Sequence, residues 1–286
     1  MNQPPTLREA LTAATLRLAA DPYLQPNAAR DAQLLLLHTL DIPHAALLAH
    51  PERTLTPDHQ AAYEALLARR LTLEPIQYIT GTQDFYGITL QVTPAVLIPR
   101  PETELLVEAV LHRLPTHQPL RILDVGTGSG AIAIALAHHL PLAHITAVDI
   151  SPSALDIARQ NAATHQLQPR ITFLESDLLN NLATTSTFHA IVSNPPYIPD
   201  SDRPTLHPQV RDHEPSTALF AGPHGLDLYR RLIPQAHTAL LPKGLIALEI
   251  GHAQHMQIIE LLAGWDDPHL LPDLNGIPRV ALALKR

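Results

Sequence analysis

Two regimes of hydrophobic spacing divide the chain. From Thr6 to about Arg70, apolar residues recur at helical intervals in "LREALTAATLRLAA", "NAARDAQLLLLHTL" and "TPDHQAAYEALLARRL", the pattern of helices that bury one face. Pro and Asp punctuate it at "DPYLQP", "DIPH" and "HPERTLTP", which predicts a small bundle of about four helices. The next stretch, "PIQYITGTQDFYGITLQVTPAVLIP", is rich in Ile, Val, Thr and aromatics with glycine at turn positions, and predicts a short hairpin and linker.

From Pro101 onward, short apolar runs alternate with longer amphipathic ones. "RILDV", "HITAVDI", "RITFLES", "FHAIVSN" and "GLIALEI" read as strands, and "HLLPDL" with "RVALAL" as a closing pair. "GAIAIALAHHL", "SPSALDIARQNAATH", "GLDLYRRLIPQAHTALL" and "AQHMQIIELLAG" read as helices. Such alternation defines an α/β class: a mainly parallel sheet with helices on both faces, whose ligands sit beyond the carboxyl ends of the strands. Functional residues are expected where strands stop. The domains are therefore drawn as a helical domain over 1–74, a β-hairpin linker over 75–99 and an α/β domain over 100–286.

Composition sharpens the picture in three respects. The 286 residues, 45% hydrophobic, suffice for two domains. Cysteine is absent, which fits a reducing compartment and excludes disulfides and thiolate metal clusters. With Lys+Arg 19 against Asp+Glu 27, the net charge is −8, so broad attraction to a phosphate backbone is missing and nucleic acid becomes a weaker substrate candidate. No signal peptide or run of about 18 apolar residues occurs, so a cytoplasmic location is expected. The 28 prolines and 18 histidines are scattered and form no tract.

The first strand stops at Asp124 and enters "DVGTGSG". Gly126, Gly128 and Gly130, with Thr127 and Ser129 between them, permit a tight turn that exposes backbone N–H groups at the start of a helix. The same turn also serves as a plain strand-to-helix connection. Its spacing departs from the Gly-x-Gly-x-x-Gly fingerprint of a dinucleotide site, which disfavours a nicotinamide oxidoreductase. The second strand ends in "AVDI", placing Asp149 where a carboxylate accepts both hydroxyls of a ribose, with Ile150 beside it and Ser151 and Pro152 opening the next helix. The third ends in "LESDLL", where Asp177 is placed to accept an adenine amine and Leu178 to offer its backbone N–H and an apolar contact. No Gly-Lys-Ser/Thr motif occurs. Together these ends describe a nucleoside pocket without a phosphate-binding lysine.

The fourth strand ends in "SNPPYIPD". An amide nitrogen is a poor nucleophile, because its lone pair is delocalised, so an enzyme attacking through it must orient it. The Asn194 side-chain carbonyl can accept one N–H of a planar amine or amide and the Pro195 backbone carbonyl the other. Pro195 and Pro196 stiffen the turn and offer no competing donor. Tyr197 can cover the flat group with its ring. No general base is required, since a nitrogen that has gained a carbon becomes acidic and loses its proton to water; orientation and electrostatics carry the reaction.

Taken together, "DVGTGSG", "AVDI", "ESDLL" and "SNPPYI" resemble a class I S-adenosylmethionine-dependent methyltransferase. With "LIPRPETE", "VRDHEP" and "DLNGIPRVALA", the chain resembles more narrowly the release-factor glutamine methyltransferases of the PrmC/HemK family over nearly its whole length. The resemblance implies a Rossmann-like domain with a seven-stranded, mainly parallel sheet. It also implies methyl transfer from S-adenosyl-L-methionine, leaving S-adenosyl-L-homocysteine, to the side-chain amide of the glutamine in the Gly-Gly-Gln loop of peptide-chain release factors. Gly126 to Gly130 would contact the methionine part of the cofactor, Asp149 the ribose and Leu178 the adenine side. Asn194 to Tyr197 would hold the glutamine, and Arg100, Glu102 and Thr103 would shape the substrate entrance. "RPETE" is equally an ordinary helix start. A monomer is expected, with no direct nucleic-acid partner and no membrane. His213, in "VRDHEP", departs from the aromatic usual in relatives and leaves the role of Glu214 open.

The nearest rival is a methyltransferase of a base's exocyclic amine, which fits the same cradle but lacks a basic reading segment here. An inert nucleoside-binding adapter is the other. His252 and His255, three apart in "GHAQHMQII", lack a third ligand for a zinc site and read as a solvated helix face, so no metal is expected.

Overall fold

The first helix starts on a reciprocal cap: the Thr6 hydroxyl accepts the Glu9 N–H, and the Glu9 carboxylate accepts the Thr6 N–H. This computed structural model describes residues 4–185 and 187–286. Helices α1 (Leu7–Ala19), α2 (Ala28–Leu40), α3 (His44–Ala49), α4 (Pro57–Leu71) and α5 (Ile76–Thr80) turn their apolar faces onto a core that includes Leu18, Leu35, Tyr63 and Ile79. The Tyr63 hydroxyl donates to the Ala32 carbonyl at 2.8 Å, so the buried ring leaves no polar atom unpaired. Asp31 and Arg70 form an ion pair at 2.8 Å with each side chain only 5% exposed, and Arg70 also donates to the Glu74 carbonyl. Removing one partner strands the other charge away from water. Asp31→Ala is therefore expected to destabilise this helical unit by roughly 3–5 kcal/mol, read as a lowered unfolding midpoint.

The boundary expected after residue 74 lies further on. This unit runs to Gly81 and includes Leu206–His213, while the second unit comprises Thr82–Thr205 and Glu214–Arg286. The segment assigned to the linker begins with α5, whose Ile79 enters the helical core and whose end is closed by Gly81 at φ 79°. Five residues are too few to display a helical period, and the β-branched, aromatic composition pointed to a strand instead.

In the second unit, β1 (Thr82–Phe85) and β2 (Ile88–Gln91) form the hairpin, turned by Tyr86 and Gly87, both at positive φ. There follow α6 (Pro101–Arg113), β3 (Leu120–Val125), α7 (Ala131–His139), β4 (Ala143–Asp149), α8 (Pro152–Thr164), β5 (Ile171–Glu175) and β6 (Phe188–Ser193). After α9 (Pro208–His213), which belongs to the first unit, come α10 (Asp227–Ala239), β7 (Leu240–Glu249), α11 (His255–Leu261), β8 (Asp266–Pro272) and β9 (Pro278–Leu284).

The sheet has seven strands in the order β5-β4-β3-β6-β7-β9-β8. The five from β5 to β7 are parallel, and β9 pairs antiparallel with both β7 and β8. Alternation along each strand divides the core. Ile122, Ile145 and Ala190 pack with residues of α6 and α7, whereas Leu123, Val148 and Ile191 pack with residues of α10 and α11. The order in which successive strands are added switches sides between β3 and β6, where open α/β sheets bind their ligands. His252 lies in the turn before α11 and not on the helix, so the expected shared face with His255 does not form. Among the described residues, no helix is long and apolar enough to cross a membrane.

Candidate active site

A cavity of about 340 Å³ opens at the carboxyl ends of β3 to β6, a volume suited to a small molecule. Gly126 and Gly128 contribute one wall, Asp149 and Ile150 a second, Asp177 and Leu178 a third, and Asn194, Pro195 and Pro196 a fourth. The four strand ends singled out from the sequence thus meet at one space. Asp124, Thr127, Ser129 and Gly130 do not line it. Gly130 opens α7 at φ 83°, and a Cβ there would lie 3.2 Å from both Ala158 and Ile134, so this glycine allows helices to approach.

Asp124 is fully buried. Its Oδ2 accepts the Thr127 hydroxyl at 2.6 Å, while among the described residues Oδ1 has no hydrogen-bond partner. Burial, opposed by Thr127 and reinforced by the nearby Asp149, pushes its carboxyl up to about 7. Asp149 is held differently. The Gly128 N–H donates to its Oδ2 at 2.8 Å and the Ser151 N–H to its Oδ1 at 2.9 Å. The carboxylate therefore pins the glycine turn and keeps one acceptor direction on each oxygen for a ligand. Burial raises its pKa, and the backbone amides oppose the rise.

Ile150 is 60% exposed although it lines the cavity, an apolar surface placed to meet a flat ring. Leu178 is buried at φ 52°, a left-handed conformation unusual for a leucine. Asp177 Oδ2 already accepts from Arg231 at 2.5 Å, a partner that the sequence gave no reason to expect.

At the fourth strand, Asn194 is oriented from behind. Its Nδ2 donates to the Thr103 hydroxyl oxygen at 3.0 Å, and the Thr103 hydroxyl donates to Glu249 Oε2 at 2.6 Å. Among the described residues, nothing donates to Asn194 Oδ1 or to the Pro195 carbonyl. Tyr197 does not line the cavity; its hydroxyl donates to Glu249 Oε1 at 3.3 Å. Its backbone carbonyl accepts from Gln254 Nε2 at 2.9 Å.

The "RPETE" residues separate in role. Thr103 is buried beneath Asn194, Glu102 is exposed, and Arg100 pairs with Glu214 at 2.5 Å just before α6. None of the three lines the cavity. Glu214 also accepts the Ile98 N–H, so its buried carboxylate ties down the segment leading into α6. His213 falls in the helical unit, where its Nε2 lies 3.1 Å from the Thr72 carbonyl.

Three side chains escaped the sequence reading. Glu249 is 2% exposed and closes β7, and burial pushes its carboxyl up to about 7 against the Thr103 and Tyr197 hydrogen bonds. An acid ending an otherwise apolar strand is the signal that identified Asp124 and Asp149, and "GLIALEI" carries it too. Gln254 and the buried Asn161 follow no such pattern. Asn161 accepts the Gln91 N–H and donates to the carbonyls of Gln91 and Ser129, joining β2 to the glycine turn.

The sheet order and the cavity beyond its parallel strands define a Rossmann-like methyltransferase fold. A family described as "Methyltransferase small domain" matches residues 101–207. A 16S rRNA N2 methyltransferase from T. thermophilus, solved with AdoMet and guanosine, shares the fold at TM-score 0.54 and 21% identity over 72% of this chain and 50% of that one. A second family, "PrmC N-terminal domain", matches residues 9–81. The chain is 46% identical over 281 residues to the release factor glutamine methyltransferase of Koribacter versatilis, spanning 98% of this chain and 99% of that one. It is 44% identical over 284 residues to the enzyme of the same name from Moorella thermoacetica, with 98% and 99% covered. The protein belongs to the release factor glutamine methyltransferase family.

Proposed function

We propose that the protein transfers a methyl group from S-adenosyl-L-methionine to the side-chain nitrogen, N5, of the glutamine in the Gly-Gly-Gln motif of peptide-chain release factors. The observation that carries this reading is the pair of unclaimed acceptors, Asn194 Oδ1 and the Pro195 carbonyl, at a cavity whose other walls suit a nucleoside. Two acceptors held by one turn match the two hydrogens of a primary amide.

The cavity's chemistry fits S-adenosylmethionine. Asp149 lines the cavity and retains acceptor directions for ribose hydroxyls, Ile150 offers a bare apolar face, and the buried Asp124 carboxylate lies behind the glycine turn without lining the cavity. When bound, the cofactor supplies an electrophilic methyl on a sulfonium and leaves as S-adenosylhomocysteine. Asn194 and Pro195 fix the amide plane so that its nitrogen faces the electrophile, and the proton released from nitrogen passes to water. The helical unit is assigned the docking of the release factor, and the acidic, cysteine-free chain is assigned to the cytoplasm as a monomer.

The test is to incubate the protein with labelled S-adenosylmethionine and a release factor, its Gln→Ala loop variant, or RNA. Label in the intact release factor alone is the expected result. Equal labelling of the Gln→Ala variant, or label in RNA, overturns the reading.

A further inference from the structure

We infer that Glu249 is a positioning residue that decides which end of the Asn194 amide faces the cavity, acting through the Thr103 hydroxyl. The two ends of an asparagine amide are nearly equal in shape, so only their hydrogen-bond partners choose between them. Thr103 Oγ1 lies 2.6 Å from Glu249 Oε2 and 3.0 Å from Asn194 Nδ2. A hydroxyl has one hydrogen. An ionised carboxylate only accepts, so that hydrogen is committed to Glu249 and Thr103 offers Asn194 nothing but lone pairs. Asn194 must then point its NH₂ inward and its carbonyl outward.

Protonation of Glu249 reverses the chain. The carboxyl then donates to Thr103, the Thr103 hydrogen turns to Asn194, and Asn194 accepts through Oδ1 and presents NH₂ to the cavity. Two donors would face each other if the substrate is also an amide NH₂. The inference rests on the proposed glutamine substrate for that last step.

The surroundings make both states accessible. Glu249 is buried, and burial pushes its carboxyl up to about 7. Around it stand the Tyr197 hydroxyl on Oε1, the Tyr229 hydroxyl of α10 on its backbone carbonyl at 2.7 Å, the like charge of Glu102 on α6 and the opposite charge of Arg279 on β9. Burial outweighs these neighbours. Tyr197 makes Glu249 a two-armed support, one arm to each end of the Asn-Pro-Pro-Tyr turn.

The test compares wild type with Thr103→Val, Thr103→Ser and Glu249→Gln. The readouts are kcat and KM for the release factor, the Kd of S-adenosylmethionine, the unfolding midpoint, and exchange of the Asn194 side-chain NH₂ by NMR. Thr103→Val keeps the volume and removes the hydroxyl, so kcat should fall roughly tenfold to a hundredfold, as when a group orienting a functional residue is lost. Cofactor Kd should hold, Thr103→Ser should recover most of the loss, and Asn194 NH₂ exchange should quicken in Thr103→Val.

Wild-type kcat should rise with pH through about 7, where the Glu249 carboxyl ionises. Glu249→Gln should lack that limb. Because burial also pushes the Asp124 carboxyl up to about 7, a residual limb in Glu249→Gln is assigned to Asp124, and a limb as large as the wild type's overturns the inference. Wild-type kcat in Thr103→Val, or equal losses in the Val and Ser variants with lowered midpoints, overturns it too. A wild type that fails to methylate release factor defeats the proposed substrate instead, and amide exchange then still decides the relay.

Discussion

Asn194→Ala is expected to lower turnover by roughly 10² or more while leaving S-adenosylmethionine affinity near that of the wild type, the scale seen when a preorganised polar contact at a reacting centre is removed. Glycine turn, Asp149 and Leu178 are supplied by other strands, so the nucleoside side of the cavity survives the change. What disappears is one of two acceptors holding the amide plane. Its loss lets the substrate nitrogen rotate away from the line of displacement, which costs rate far more than binding. Single-turnover methylation of release factor, with cofactor binding measured in parallel, checks the result. Near-normal turnover would remove Asn194 from the mechanism.

Gly225→Ala should have the second largest effect, although Gly225 touches no substrate. It sits at φ +67°, and a Cβ there would overlap the Tyr197 carbonyl oxygen and stand 2.7 Å from Gln254 Nε2. That carbonyl is backbone, gripped by Gln254, so it cannot yield without moving the Asn-Pro-Pro-Tyr turn. Overpacking and the positive φ together predict a loss of about 1–3 kcal/mol in stability. Turnover should fall well beyond what that loss explains. Gly222→Ala is the control: it shares the positive φ, at +76°, but the atoms nearest a Cβ there belong to the end of the Asp227 side chain, which can swing aside. Comparable turnover in the two variants would mean that Gly225 does not set the turn.

The fold was legible wherever a repeating pattern ran long enough. The alternation from "RILDV" to "GLIALEI" implied the parallel sheet, and the strand ends named in advance converge on one cavity. The legibility failed where signals were short or three-dimensional. The five residues of α5 carried strand-like composition in a helix. Gly130 looked like its neighbours in sequence, yet it answers to Ala158 and Ile134. Asp177 announced itself as a lone carboxylate, and only folding brings Arg231 to it across 54 positions. Nothing near Thr103 in sequence points to Glu249, and only folding sets its hydroxyl between Asn194 and that glutamate 146 residues away.

Asn161 has a further consequence for motion. Its single amide holds Gln91 of the hairpin and the Ser129 carbonyl of the glycine turn at once, so loosening either place surrenders the same buried partner. The hairpin edge and the turn are therefore expected to open together, as one local cooperative unit.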